Sequence, residues 1–292
     1  MGLLTLAAML AMASSACDRR PATVQPDGKL AVTVTVAPHA WLVRRLSGDR
    51  LDVLTMVQPA DSPDTYLPTD AQLTQVMASA LYFRVGVPCE SSPWFSAIAT
   101  AKAGPRIVDL RQGITLRRMA EHADHDSHGT AGDDPHIWLA PPLLKIQAQT
   151  VARSLTEIDP GGRQAYADRL AELIVDLDQL DAQLRARLAP LAGRRFYVDH
   201  PAWGYFADAY GLVQVSVEVE GKKPSEHEIT LLVQQMRGDG ARVIFIQPQF
   251  AASTAIAIAD AIGAKTTVLD PVDPHVLDSL SRAAELIATS LE

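Results

Sequence analysis

The sequence predicts an α/β protein made of two parallel-sheet α/β lobes joined by a long rigid helix. Three observations carry that reading. Short, almost continuously apolar runs alternate with helical patterns, as parallel strands covered on both faces do. The alternation occurs twice, with four strands in each set. Between the two sets runs one amphipathic stripe longer than any other helical pattern in the chain.

Residues 1–16 carry no charge and are rich in Leu, Ala and Met. They are too short for a mature membrane span but suit the apolar region of a signal peptide. Ser14-Ser15-Ala16-Cys17 then sets small residues before a cysteine, as a bacterial lipobox does, although a large aliphatic residue is usual where Ser14 stands. Lipidation is therefore expected on Cys17. Residues 17–29, polar and broken by Pro21 and Pro26, read as a tether.

The N-terminal lobe is expected over 30–160, with strands at 30–37, 51–57, 80–86 and 106–110 and helices near 39–47, 69–78 and 91–103. The linking helix is expected over 161–190. There Tyr166, Leu170, Leu173, Ile174, Leu177, Leu180, Leu184, Leu188 and Leu191 recur at steps of three and four, with Gly161-Gly162 before them and Pro190 at the end. About 25–28 helical residues at 1.5 Å rise make a rod of roughly 40 Å, suited to a cleft that barely closes. The C-terminal lobe follows over 191–292, with strands at 195–199, 213–219, 242–247 and 266–270 and helices near 203–211, 224–238 and 251–263.

Composition narrows the function. With 26 basic against 34 acidic residues the formal charge is −8, which excludes nucleic acid as a partner and favours cations. Cys89 is the only cysteine besides Cys17, so an acylated Cys17 leaves no intrachain disulfide and stability must come from packing.

Ligands of open α/β sheets bind beyond the carboxyl ends of the strands. Five metal-donor residues fall at that edge: His39 after the first strand, Asp64 after the second, His136 after the fourth, His200 at the end of the fifth and Asp270 at the end of the eighth. Two facing lobes would bring them to one interdomain cleft. Imidazole and carboxylate together suit Zn2+ and its neighbours, so the cleft reads as a metal cleft. A second concentration of donors lies just before His136. His122, His125 and His128, with Asp124 and Asp126, sit in a loop at 121–133, so that four of the eight histidines fall within fifteen residues. That run also suits a simple solvated loop. His227 and His275 lie in helical stretches and read as surface residues, and Asp273 competes with Asp270 from three residues beyond.

Four segments carry a family resemblance: Asp134-Pro135-His136-Ile137-Trp138-Leu139, His200-Pro201-Ala202-Trp203-Gly204-Tyr205-Phe206, Gln247-Pro248-Gln249-Phe250 and Leu269-Asp270-Pro271. In this order and spacing the chain resembles the solute-binding proteins of bacterial zinc and manganese ABC transporters. The resemblance implies two α/β lobes on one long helix, capture of a divalent metal between them, and delivery to a permease in the inner membrane. It implies that His136, His200 and Asp270 are ligands. A histidine at 200 is associated with zinc-type members, where manganese-type members tend to carry Glu, so the implied cargo is Zn2+ with Mn2+ as the alternative. A His/Asp-rich loop before the central histidine is likewise typical of zinc proteins.

One departure matters. The family usually has a histidine in the segment matched here by Ser62-Pro63-Asp64-Thr65-Tyr66-Leu67-Pro68-Thr69, where Asp64 stands at the first ligand position. Asp64 could bind directly, or His39 could supply the missing imidazole. The reading favours His39, because a proline-set histidine at that edge has few other uses. A third outcome is a weakened site completed by water, or one retuned to another metal or a chelate. Glu218, Glu220 and Asp199 are candidate acceptors for the imidazole N–H groups. Four protein ligands leave no open position for activating water, and no His-Glu-x-x-His element is present, so carriage rather than catalysis is expected. The alternatives are a binding protein for a metal chelate or other small solute, and a zinc-dependent hydrolase. The expected setting is periplasmic or cell-surface, as a monomer anchored to the membrane through lipid on Cys17.

Overall fold

The computed structural model describes residues 28–119, 132–218 and 224–292. The leader, Cys17, the tether up to residue 27, Glu220, and His122, His125 and His128 lie outside the described residues.

In the first lobe, β1 (Leu30–Val34), α1 (Ala37–Ser47), β2 (Leu51–Thr55), α2 (Asp70–Met77), β3 (Leu81–Arg84), α3 (Pro93–Thr100) and β4 (Arg106–Asp109) form a parallel sheet in the order β2-β1-β3-β4 with flanking helices. The order reverses between β1 and β3, which opens a crevice beyond their carboxyl ends. The second lobe repeats the arrangement. Its β5 (Arg195–Val198), α6 (Gly204–Tyr210), β6 (Val213–Ser216), α7 (Glu226–Gly238), β7 (Val243–Ile246), α8 (Ser253–Ile262) and β8 (Lys265–Val268) build a parallel sheet ordered β6-β5-β7-β8. The strands are one to three residues shorter than the apolar runs, because each run's last residues leave the ladder and enter the loops that face the crevice.

The helix α5 (Arg163–Leu188) joins the lobes, and two further long helices, α4 (Pro141–Ile158) beside the first lobe and α9 (Val276–Leu291) beside the second, lie against it. The sequence reading names only α5. α4 opens on Pro141-Pro142, well placed in a first helical turn, and buries Leu144, Ala148, Val151, Ala152 and Leu155. α9 buries Leu280, Ala283, Ala284, Ile287 and Ala288 on one stripe. Both pack on α5.

The α5 rod is tied to both lobes. Its stripe of Tyr166, Leu173, Leu177, Leu180, Leu184 and Leu188 is buried. Toward the first lobe, Arg45 pairs with Asp176 at 2.8 Å; toward the second, Arg187 pairs with Glu285 at 3.0 Å on α9. The turn before α5 needs Gly162: a Cβ there would lie 2.5 Å from Cζ of Tyr166 and 2.6 Å from both Arg50 Nε and Asp159 Oδ2, inside the Arg50–Asp159–Tyr166 cluster. One hydrophobic core runs from Val32 in β1 through α5 to Ile287 in α9, and a smaller one lies under α7 and α8. A continuous close-packed core resists wide opening of the two lobes.

Candidate metal site

The loops after the strands meet between the lobes. His136 ends the irregular segment that follows β4, and His200 follows β5 in the opposite lobe. Their ring centroids are 5.5 Å apart. Each ring is 7 % exposed as a residue, so both are sheltered but reachable. His136 Nδ1 is 2.8 Å from Asp134 Oδ1, which also accepts the backbone N–H of His136 at 3.0 Å. His200 Nδ1 is 2.9 Å from Glu218 Oε2. In each case Nδ1–H donates to a carboxylate and the Nε2 lone pair is left for a metal, the arrangement that metal-binding histidines require. Of the three acceptors expected from sequence, Glu218 fills the role for His200, Asp199 does not, and Glu220 is outside the described residues. Asp134 is the acceptor the sequence reading misses; its signal is an aspartate two residues before the histidine in Asp-Pro-His.

Carboxylates surround the pair. Burial alone would lower the proton affinity of His200. The Glu218 hydrogen bond and the charges of Asp64, Glu218 and Asp134 outweigh burial and hold the ring above its ordinary pKa. Asp64 lies half-buried in the loop after β2, and its negative charge is among those that raise His200. That loop is tied down from below: Cys89 N–H donates to the Pro63 carbonyl at 3.1 Å. The turn holding Cys89 is built on the buried Glu90, which accepts from Val85 N–H at 3.1 Å and from Gly86 N–H at 2.5 Å. Asp270 follows β8. Its Oδ1 accepts from Val272 N–H at 3.0 Å and from the Gln249 amide at 3.0 Å, while burial raises its pKa against those donors.

His39 has another use. It sits in the first turn of α1, fully buried, with Nε2 2.8 Å from Gln147 Oε1 on α4, and Gln147 Nε2 in turn donates to the Ile137 carbonyl at 3.0 Å. Its ring stands edge-on to Trp138, with centroids 5.4 Å apart. Burial pushes its pKa down to about 4, so it is neutral at any physiological pH. The sequence argument for His39 rests on its having few other uses, and the Gln147 bond is such a use. Its Nδ1 is buried without a partner among the described residues. Nor do the five donors form a ready cluster: among the described residues no three His, Cys, Asp or Glu side chains stand in metal-binding array.

The lobes meet along a polar seam around these residues. Trp138 Nε1 donates to the Pro271 carbonyl at 2.6 Å, next to Asp270. Tyr205 donates its hydroxyl to the Asp134 carbonyl at 3.0 Å. The Gln249 amide, already on Asp270, also reaches the Pro59 carbonyl of the opposite lobe at 2.9 Å. His200 stacks on Phe250 with centroids 5.0 Å apart.

A family model for the zinc-uptake complex component A, periplasmic, matches residues 32–282. The chain belongs to this family. Members are solute-binding components of transport complexes rather than enzymes. A crystal structure of ZnuA superposes with a TM-score of 0.83 at 34 % identity, covering 90 % of this chain and 100 % of that one. A zinc-bound deletion mutant of ZnuA gives the same TM-score of 0.83 at 34 % identity over 90 % of this chain and 98 % of its own. The high-affinity zinc uptake system protein ZnuA of Bacillus subtilis is 25 % identical over 283 residues, 93 % of this chain and 88 % of that protein. The family's two-lobe α/β fold with its connecting helix is the fold described above.

Proposed function

We propose that this chain captures one Zn2+ between its lobes with His136, His200, Asp64 and Asp270 and delivers it to the permease of an ABC transporter. The observation that carries the reading is the pair of imidazoles from opposite lobes, 5.5 Å apart, each with a carboxylate on Nδ1 and, among the described residues, no hydrogen bond on Nε2. Two nitrogens and two carboxylates make a tetrahedral set for zinc at ~2.0–2.2 Å. Asp64 is the preferred first ligand because it is half-buried in the loop after β2, whereas His39 is wholly buried and engaged with Gln147. The donors do not yet form a cluster, so capture draws Asp64 and Asp270 in around the two rings.

His200 must give up its proton to bind, and its neighbours hold that proton above the ordinary range. Zinc therefore displaces protons, and affinity falls as the solution becomes more acid. Release follows when docking on the permease separates the seam and breaks the ligand set. The chain works as a monomer whose site is built from its own two lobes, and lipid on Cys17 keeps it near the membrane with the acyl chains of a bacterial lipoprotein.

Equilibrium dialysis with metal analysis tests the proposal. One tightly held Zn2+ per chain, lost in His136→Ala and in His200→Ala, is expected. Full zinc retention in either variant would overturn it, and binding only in the presence of a chelator would replace it with chelate transport.

A further inference from the structure

Asp134 is the group that orients His136, and its own environment is unusual. The carboxylate is wholly buried, and one of its oxygens is taken up by the backbone and ring of His136. The other, Oδ2, accepts from Arg117 Nη1 at 3.2 Å. A buried carboxylate needs such a partner, because leaving it unpaired is strongly unfavourable. Arg117 comes from the segment after β4, and it is itself held from the opposite lobe. Its Nε forms an ion pair with Asp208 Oδ2 at 3.1 Å on α6, its guanidinium lies 5.9 Å from the Tyr205 ring centroid, and its backbone N–H donates to the Tyr205 hydroxyl at 3.1 Å.

The seat for that guanidinium exists only because residue 204 is glycine. A Cβ on Gly204 would fall 1.1 Å from Arg117 Nη1, 2.3 Å from its Cζ and 2.9 Å from Asp134 Oδ2. The side-chain end of Arg117 is placed against the first residue of α6 with no room between. The path from α6 to the metal-facing ring is thus four residues long: Gly204 seats Arg117, Arg117 holds Asp134, and Asp134 holds His136.

We propose that Arg117 is a positioning residue for zinc, setting the His136 ring through Asp134, and that its seat on Gly204 makes this setting depend on apposition of the two lobes. The inference rests on His136 being a ligand, as proposed above. When α6 backs Arg117, the Asp134 carboxylate is fixed at both oxygens and His136 presents Nε2 to the cleft. When α6 withdraws, Arg117 loses Asp208, Tyr205 and the wall at Gly204. Asp134 is then held at one oxygen only, and the ring is free to turn. Separation of the lobes at the permease would in this way weaken a ligand directly, besides widening the cleft.

The test uses the full mature chain carrying Arg117→Met, Arg117→Lys or Gly204→Ala. Zinc affinity is read by competition with a chelator, zinc-free stability by thermal unfolding, and the His136 ring by its 15N signals without zinc. In Arg117→Met, zinc affinity is expected to fall by roughly 10- to 100-fold, as removal of an outer partner of a ligand typically does. The His136 signals are expected to lose the pattern of a ring protonated only at Nδ1, a change that mere loss of packing does not produce. Arg117→Lys restores a cation beside Asp134 and is expected to recover part of the affinity. Gly204→Ala removes no polar group yet crowds the guanidinium and Asp134 Oδ2, and is expected to behave like Arg117→Met; because the groups that must shift are side-chain ends rather than backbone, it also serves if Arg117→Met folds poorly. Affinity within twofold of the unsubstituted chain in Gly204→Ala and in whichever Arg117 variant folds, or unaltered His136 signals in them, overturns the inference. If His136→Ala itself retains zinc, the site assignment fails instead, and the two failures are told apart.

Discussion

Acidification from pH 7 to pH 4.5 should destabilise the zinc-free protein through His39 in particular. Its imidazole is fully buried, hydrogen-bonded to Gln147 and depressed from 6.5 to about 4. Between those values the unfolded chain binds a proton that the folded chain refuses, so stability falls as pH falls and levels off below about 4. At ~1.4 kcal/mol per pH unit the full window is worth about 3 kcal/mol. Asp199 has the opposite sign over nearly the same range. Burial and then the charge of Glu218 raise it from 3.8 to about 6, so the folded chain binds its proton first and gains stability on acidification. His200 and Asp270, also raised in the folded chain, act with the same sign as Asp199, so the raw slope sums these opposing contributions. Urea unfolding across pH 4.5–7, compared between the unsubstituted chain and His39→Gln, isolates the histidine; Gln keeps a donor for Gln147 and does not titrate. The variant is expected to lose less stability than the parent between pH 7 and 4.5, by about 2–3 kcal/mol. Parallel curves would refute the neutral, structural role given to His39.

Glu218→Gln should weaken zinc binding by roughly 10- to 100-fold while changing zinc-free stability little, because it removes the carboxylate on His200 Nδ1 and keeps the shape; chelator competition reads it. Trp138→Phe leaves the Pro271 carbonyl without its indole donor in a buried seam, and should lower unfolding free energy by about 1–3 kcal/mol in denaturant titration. Gly162→Ala forces a methyl against the Tyr166 ring, which calorimetry should report as a lower melting temperature, a loss of about 1–3 kcal/mol.

Much of the fold was legible because parallel strands and an amphipathic rod leave strong periodic traces. The eight apolar runs and the stripe from Tyr166 to Leu188 needed no tertiary information. α4 and α9 carry regular stripes but stand outside the strand–helix alternation, α4 directly after the Asp-Pro-His segment and α9 after the last strand. In the site, His136, His200, Asp64 and Asp270 could be placed at one edge from strand order alone. What strand order could not give was commitment. His39 stands at the same edge, but its ring turns toward Gln147 on a helix 108 residues away in sequence, a contact only folding creates. Arg117 was invisible for the same reason, being separated from Asp134 by the His-rich loop and joined to it in space at 3.2 Å, whereas Asp134 itself stands two residues before His136.

The most direct test of the central claim is a crystal of the zinc-loaded chain with anomalous diffraction measured on both sides of the zinc edge. One strong peak is predicted between the lobes, ~2.0–2.2 Å from His136 Nε2, His200 Nε2 and a carboxylate oxygen each of Asp64 and Asp270, with His39 still on Gln147. A peak bonded to His39, or one held by the histidines at 122, 125 and 128 with the interlobe cleft empty, would contradict it.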